Sequence, residues 1–175
     1  MDIDFDTLWR HVSAGFFGDP IYSPHGPAHW KRVERNGLLL AGRTGADVTV
    51  VRLFALFHDS RRENDMTDPE HGLRGARHAR DLRGSMFELD DARFALLDYA
   101  CTWHTDIDHS DDPTIGSCWD ADRLDLGRVG IIPNRELMST DFGKLIADTG
   151  TIYPFLSPAE RDAIGSASKL PIDQA

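Results

Sequence analysis

Residues 53–65 read LFALFHDSRREND: five apolar residues run into His58 and Asp59, and the chain then turns abruptly charged. Extended back to the start of the pattern, the segment 46–59 is apolar on almost every side, which predicts a helix buried at the centre of a fold. A buried helix that ends on an adjacent imidazole and carboxylate must satisfy both groups, because an unpartnered polar group away from water costs several kcal/mol on the order of 2–7.

The chain has 175 residues, enough for one domain (1–175) with a sizeable core, and its 41% hydrophobic and 27% charged residues are ordinary for a globular protein. No apolar run approaches the ~18 residues that span a bilayer, and the acidic start MDIDFDTLWR is unlike a secretory signal, so the sequence predicts a cytoplasmic protein. Cys101 and Cys118 are too few and too far apart for a disulfide framework or a thiolate zinc site. A formal net charge of −10 disfavours nucleic acid and anionic membranes as partners. Any anionic ligand needs positive charge gathered locally.

Alternating β-branched residues occur only in DVTVV (47–51), which continues as a helical pattern, so the chain is expected to be all-α. A first helix is expected over 4–16. A second starts at Pro27, with Trp30, Val33, Gly37 and Leu40 on one face. Asp68 as N-cap and Pro69 in the first turn predict a fourth helix running to Leu82. The fifth, over 90–104, is assigned an inner face of Ala92, Leu96, Tyr99, Ala100 and Trp103. Asp112 and Pro113 start a sixth, ending near Gly127, and 134–147 and 157–165 are candidate C-terminal helices within a tail region of 132–175.

On the sixth helix Ile115, Cys118, Trp119, Asp122 and Leu126 share a face, so Asp122 points inward while Asp120 and Asp125 point elsewhere. His29 lies near the inner face of the second helix, His71 has a glycine four residues on, and His104 ends the fifth helix. A lone histidine at a helix end is ordinarily a hydrogen-bonding residue, and His11, His78 and His109 are read so. Four inward polar groups on three buried helices, His29, His58, Asp59 and Asp122, are hard to satisfy without a cation. Imidazole and carboxylate ligands suit manganese, iron, zinc, cobalt or nickel.

The segments HWKRV (29–33), LFHD (56–59), EHGLRGA (70–76), WHT (103–105) and DADRLDLGRVGI (120–131), in this order, resemble the HD-domain superfamily of metal-dependent phosphohydrolases. The resemblance covers about residues 25–131. It implies an all-helical HD-domain bundle with a divalent metal on His29, His58, Asp59 and Asp122, and His71 and His104 for a second ion. The Gly-Tyr-Pro of the cyclic-dinucleotide phosphodiesterase branch is absent and Thr105 stands where that branch often has histidine. The ending DADRLDLGRVGI is instead similar to the small single-domain nucleotide-hydrolase branch.

The expected reaction is hydrolysis of a phosphate ester or anhydride, a nucleotide foremost, by a metal-activated water. Asp59 and Glu63 are the candidate catalytic groups, Glu63 either as a base to steer the water or as the ion-pair partner of an arginine. Arg32, Arg61 and Arg62 are placed to hold phosphate oxygens, and Arg123 either does the same or orients a carboxylate. His25 is expected to cap the second helix or lie outside it. The ladder Arg74, Arg77, Arg80, Arg83 is read as a solvated face, with polyphosphate binding as the other choice. The partner is a small phosphorylated substrate, and a homodimer is allowed. Two rivals stand beside this reading: a mixed-valent di-iron oxygenase using the same six ligands, and a ligand-sensing domain without turnover. The sequence lacks a G-x-S-x-G elbow and a phosphate-binding Gly-Lys loop.

Overall fold

A computed structural model describes residues 3–167. Eight α-helices are found among them: α1 (Phe5–Ala14), α2 (Pro27–Thr44), α3 (Val48–Phe57), α4 (His71–Leu82), α5 (Asp91–Trp103), α6 (Pro113–Arg123), α7 (Asp141–Thr149) and α8 (Pro158–Ala167). The described residues contain no strand, only an isolated bridge between Arg83 and Phe87. The DVTVV segment is helical because Asp47 accepts a hydrogen bond from the Val50 amide at 3.0 Å and the residues that follow are wanted on all sides by a core.

That core is organised around α3. Val50, Val51, Leu53, Phe54, Ala55, Leu56 and Phe57 are all buried, and α1, α2, α4, α5 and α6 pack against the helix from different sides. Removing this much apolar surface from water is what holds its C-terminal end still. No described helix is long and apolar enough to cross a membrane.

Local chemistry sets the boundaries. Pro27 opens α2 in a first turn that has no use for an amide hydrogen, and Gly45, at φ 76°, closes it in the left-handed region. Asp90 caps α5 and Asp112 caps α6, the latter accepting from the amides of Thr114 and Ile115 at 2.8 and 3.0 Å. Helix α4 starts two residues later than expected, because Asp68 is not its cap. The Asp68 carboxylate instead accepts from the Glu63 amide and the Arg74 guanidinium, leaving Glu70 in the cap position without a side-chain bond.

Three other expectations are corrected. The buried face of α5 is Phe94, Leu97, Ala100 and Cys101, while Tyr99 and Trp103 are about two-fifths exposed and Ala92 is exposed. Helix α6 ends at Arg123, and a 3₁₀ turn at Leu126–Val129 replaces its last expected turn. The 134–147 segment splits into a 3₁₀ turn (Arg135–Leu137) and α7, since Thr140 caps the Gly143 amide and breaks the run. The tail beyond 167 lies outside the described residues.

Candidate metal centre

The C-terminal end of α3 is the meeting point. His58 caps that helix, Asp59 follows, α2 brings His29, α4 brings His71 at its first position, α5 is capped by His104, and α6 brings Asp122 one residue before its end. Two glycines let α4 come close enough. A Cβ on Gly75 would stand 2.3 Å from the Phe57 carbonyl oxygen, and one on Gly72 2.3 Å from that of Cys101, both rigid backbone atoms. The glycine four residues past His71 thus admits the end of α3.

Each histidine has one nitrogen committed. His29 Nδ1 donates to Asp125 Oδ2 at 2.7 Å, His58 Nδ1 to the carbonyls of Phe54 and Ala55 at 3.2 and 3.1 Å, and His104 Nδ1 to the Cys101 carbonyl at 2.7 Å. His71 Nδ1 donates to the Asp68 carbonyl. Carbonyls only accept, so the proton of each neutral ring lies on Nδ1 and Nε2 presents a lone pair. These lone pairs converge in pairs, His29 Nε2 and His58 Nε2 at 3.1 Å, His71 Nε2 and His104 Nε2 at 3.0 Å.

Asp59 lies between the pairs. Its Oδ2 is 3.7 Å from His29 Nε2 and 3.8 Å from His58 Nε2, while Oδ1 is 3.2 Å from His71 Nε2 and 3.9 Å from His104 Nε2. Two triads result, His29–His58–Asp59 and Asp59–His71–His104, all buried and sharing one carboxylate. Asp122 Oδ1 approaches the first pair, 3.2 Å from His29 Nε2 and 3.8 Å from His58 Nε2.

Electrostatics separate the triads. Burial pulls the pKa of His29 down, but hydrogen bonds to Asp122 and Asp125 more than offset it, so His29 titrates above the ordinary histidine value. A proton can thus stand on its Nε2 in place of a cation. Burial holds His58, His71 and His104 below the ordinary value, so the second pair stays neutral. Burial also works against ionised Asp59 and Asp122, yet the surrounding imidazoles outweigh it and both remain carboxylates.

The second triad is therefore incomplete as a purely proteinaceous cluster. Two lone pairs face each other, and Asp59 Oδ1 is buried with no hydrogen bond among the described residues. Two nitrogens held about 2.1 Å from one ion stand about 3.0 Å apart at a right angle, and about 3.4 Å apart at the tetrahedral angle. The observed separations fall at the start of that range, so the donor set fits a divalent cation in each triad.

The other expected site residues have partners within the protein. Glu63 is 72% exposed at its side chain and turns to Arg74 Nε at 3.6 Å, away from the cluster. Arg123 spends its guanidinium on the carbonyls of His104, Ile107, Asp108 and Leu137, so it ties the α5–α6 loop to the 3₁₀ turn that precedes α7 and is not free for a ligand. Arg32 Nε donates to both oxygens of Asp125. Arg62 is buried, bonded to the carbonyls of Asn64 and Met66, with Nη1 3.5 Å from Asp59 Oδ1. Arg61 faces the other way, to His78.

Three residues carry more than the sequence reading assigned them. Asp125 is buried and orients His29, a contact hidden because the 3₁₀ turn after α6 breaks the helical periodicity that seemed to aim it outward. Asp120 is fully buried on another face, accepting from the amides of Ser139 and Thr140 at 2.7 and 2.9 Å, so it anchors the entry to α7. His25 Nδ1 donates to Asp59 Oδ2 at 3.0 Å from a side chain 19% exposed, at the rim of the centre.

No protein-family profile matches the sequence, and no curated protein does. Among solved structures, the chain is similar to the crystal structure of a predicted HD superfamily hydrolase from an uncultured Thermotogales bacterium, with a TM-score of 0.67 and 24% identity over 94% of both chains. With its helix order, its His-Asp pair at the end of the central helix and this likeness along nearly the whole length, the chain has the HD-domain helical fold.

Proposed function

We propose that this protein is a metal-dependent hydrolase of phosphate esters or anhydrides, with a small nucleotide as the foremost substrate class. The observation that carries the reading is the pair of buried triads joined through Asp59, with four Nε2 atoms aimed inward. The likeness to a predicted hydrolase of the same fold supports it. His29, His58, Asp59 and Asp122 would hold one ion, and Asp59, His71 and His104 a second. A divalent ion bound there supplies a polarised phosphoryl oxygen and a water acidic enough to ionise near neutral pH.

The chain's own groups do the rest. Burial and fixed Nδ1 bonds orient the imidazoles before any ligand arrives, so little reorganisation accompanies binding. Arg62 places a positive charge beside the shared carboxylate, and Arg32 holds Asp125 against His29. His25 keeps its Nδ1 proton on Asp59 Oδ2, and its Nε2, which has no partner among the described residues, is the protein atom best placed to exchange a proton at the rim. Glu63 has no part in this scheme.

The test is a manganese-supplemented screen of phosphomonoesters, nucleoside triphosphates and cyclic dinucleotides beside Asp59→Ala. The reading expects metal-dependent phosphate release that the variant lacks; release surviving in Asp59→Ala would remove the proposed centre from the reaction. A second reading, a di-iron oxygenase, draws on the same bridging position of Asp59 between histidine pairs. Bound iron with an oxygen-dependent spectrum, together with no phosphate release, would favour it.

A further inference from the structure

A cavity of about 410 Å³ is lined by the α1–α2 turn at Gly15 and Phe17, by Ser60–Glu63 after α3, and by Arg74, Arg77, His78 and Asp81 on α4. None of the six cluster residues lines it. His78 is two helical turns past His71, about 10 Å along the axis, while Arg62, which also lines the cavity, has Nη1 3.5 Å from Asp59 Oδ1, so the two features are neighbours that share Arg62.

Its charge is unlike that of the molecule. The chain carries 29 acidic against 19 basic residues, yet this wall gathers Arg61, Arg62, Arg74 and Arg77 against only Glu63 and Asp81. The arginines are also held. The Ser60 hydroxyl donates to the Phe57 carbonyl, so its oxygen accepts from His78 Nδ1 at 3.2 Å, and His78 Nε2 must accept from Arg61 Nη2 at 2.9 Å. His78 is 7% exposed, so a buried neutral imidazole aims the Arg61 guanidinium. Arg74 is fixed by Asp68 and by a bond from its Nε to the Arg61 carbonyl. Arg77, on the exposed side, has no hydrogen-bond or ion-pair partner among the described residues.

We infer that this cavity is a second anion site, separate from the metal centre, that binds a small molecule through its phosphoryl groups. Arg61 and Arg77 are its principal donors. Guanidinium groups suit phosphoryl oxygens because their donors are planar, fixed in geometry and always charged. The volume exceeds that of a lone phosphate and admits a diphosphate or a nucleotide, with the exposed Phe17 ring at its edge. The arginine ladder thus divides: Arg80 and Arg83 pair with Asp98 and Asp91 on the surface, whereas Arg74 and Arg77 turn to the cavity.

The test is calorimetric titration of the full chain with inorganic pyrophosphate against sodium chloride of matched ionic strength, in wild type, Arg77→Gln, Arg61→Gln and Asp122→Asn. Binding specific to pyrophosphate is expected, about tenfold weaker in each arginine variant, as befits losing one charge-assisted contact. Asp122→Asn should bind as wild type does. Arg77 has no partner to lose, so its variant should melt with the wild type. The inference is overturned if pyrophosphate does no better than chloride, if the arginine variants bind unchanged, or if Asp122→Asn alone abolishes binding, which would place the anion at the metal centre. This outcome is independent of whether the phosphohydrolase screen succeeds.

Discussion

Asp125→Asn tests how the centre is pre-set. In the wild type one carboxylate accepts from His29 Nδ1 at 2.7 Å and from Arg32 Nε at 2.8 and 3.0 Å. Asparagine keeps the shape but has one accepting oxygen and one donating amide. If the oxygen turns to Arg32, the amide faces His29, Nδ1 must accept, and the ring proton moves to Nε2, the atom a metal requires bare. If the oxygen turns to His29, the amide confronts the Arg32 donor instead. The first outcome is expected to prevail in part, weakening metal affinity about ten- to a hundredfold, about 1.4–2.8 kcal/mol. Global stability should change by less than about 1 kcal/mol through the Arg32 pair, since Arg32 is 37% exposed and the contact is screened. Competition between the protein and a metallochromic chelator measures the affinity, with Arg32→Gln as a milder comparison. An affinity within twofold of wild type in Asp125→Asn would refute the claim that Asp125 fixes the His29 tautomer.

Further predictions follow from single contacts. Gly72→Ala sets a methyl against the Cys101 carbonyl and 3.0 Å from two atoms of the His104 ring, so it should cost about 1–3 kcal/mol in urea unfolding and weaken the His71–His104 half before the His29–His58 half; equal loss in both halves would count against it. His78 is held neutral by burial and the nearby Arg61 charge, its pKa lowered to about 4, so the folded chain binds fewer protons than the unfolded one between about pH 4 and 6.5. Stability should therefore fall as pH drops through that window, by up to about 3 kcal/mol from this group, and His78→Gln should show a shallower fall; identical pH profiles would discredit the assignment. Glu63→Gln should leave any phosphate release within about twofold, because its exposed side chain meets only Arg74; a loss beyond tenfold would return it to the reaction.

The fold was legible where burial and capping agreed. The apolar run 48–57 could only be a central helix, and Asp47, Asp90 and Asp112 mark the starts they were expected to mark or lie within a residue of them. It was illegible where a carboxylate had two claims on it. Asp68 looks like a cap and is instead the anchor of Arg74, and Asp120 looks outward on a helical wheel yet buries itself under the entry to α7. The inner face of α5 was misjudged because Tyr99 and Trp103 are large enough to mimic a core stripe while resting on the surface, Tyr99 against Trp119. For the centre, the sequence named which side chains converge. It did not contain the sharing of Asp59 between two triads, nor the bond from His29 Nδ1 to Asp125, because both depend on distances between separate helices.

The most direct measurement is the metal content of the purified chain, by elemental analysis, in wild type, His71→Ala and Asp59→Asn. One ion for each of the two triads is expected in the wild type, loss of the ion from the Asp59–His71–His104 triad alone in His71→Ala, and loss of both in Asp59→Asn, whose carboxylate the triads share. A wild-type chain that takes up no divalent ion when supplied with manganese, iron or zinc, or an Asp59→Asn chain that keeps its full complement, would contradict the account.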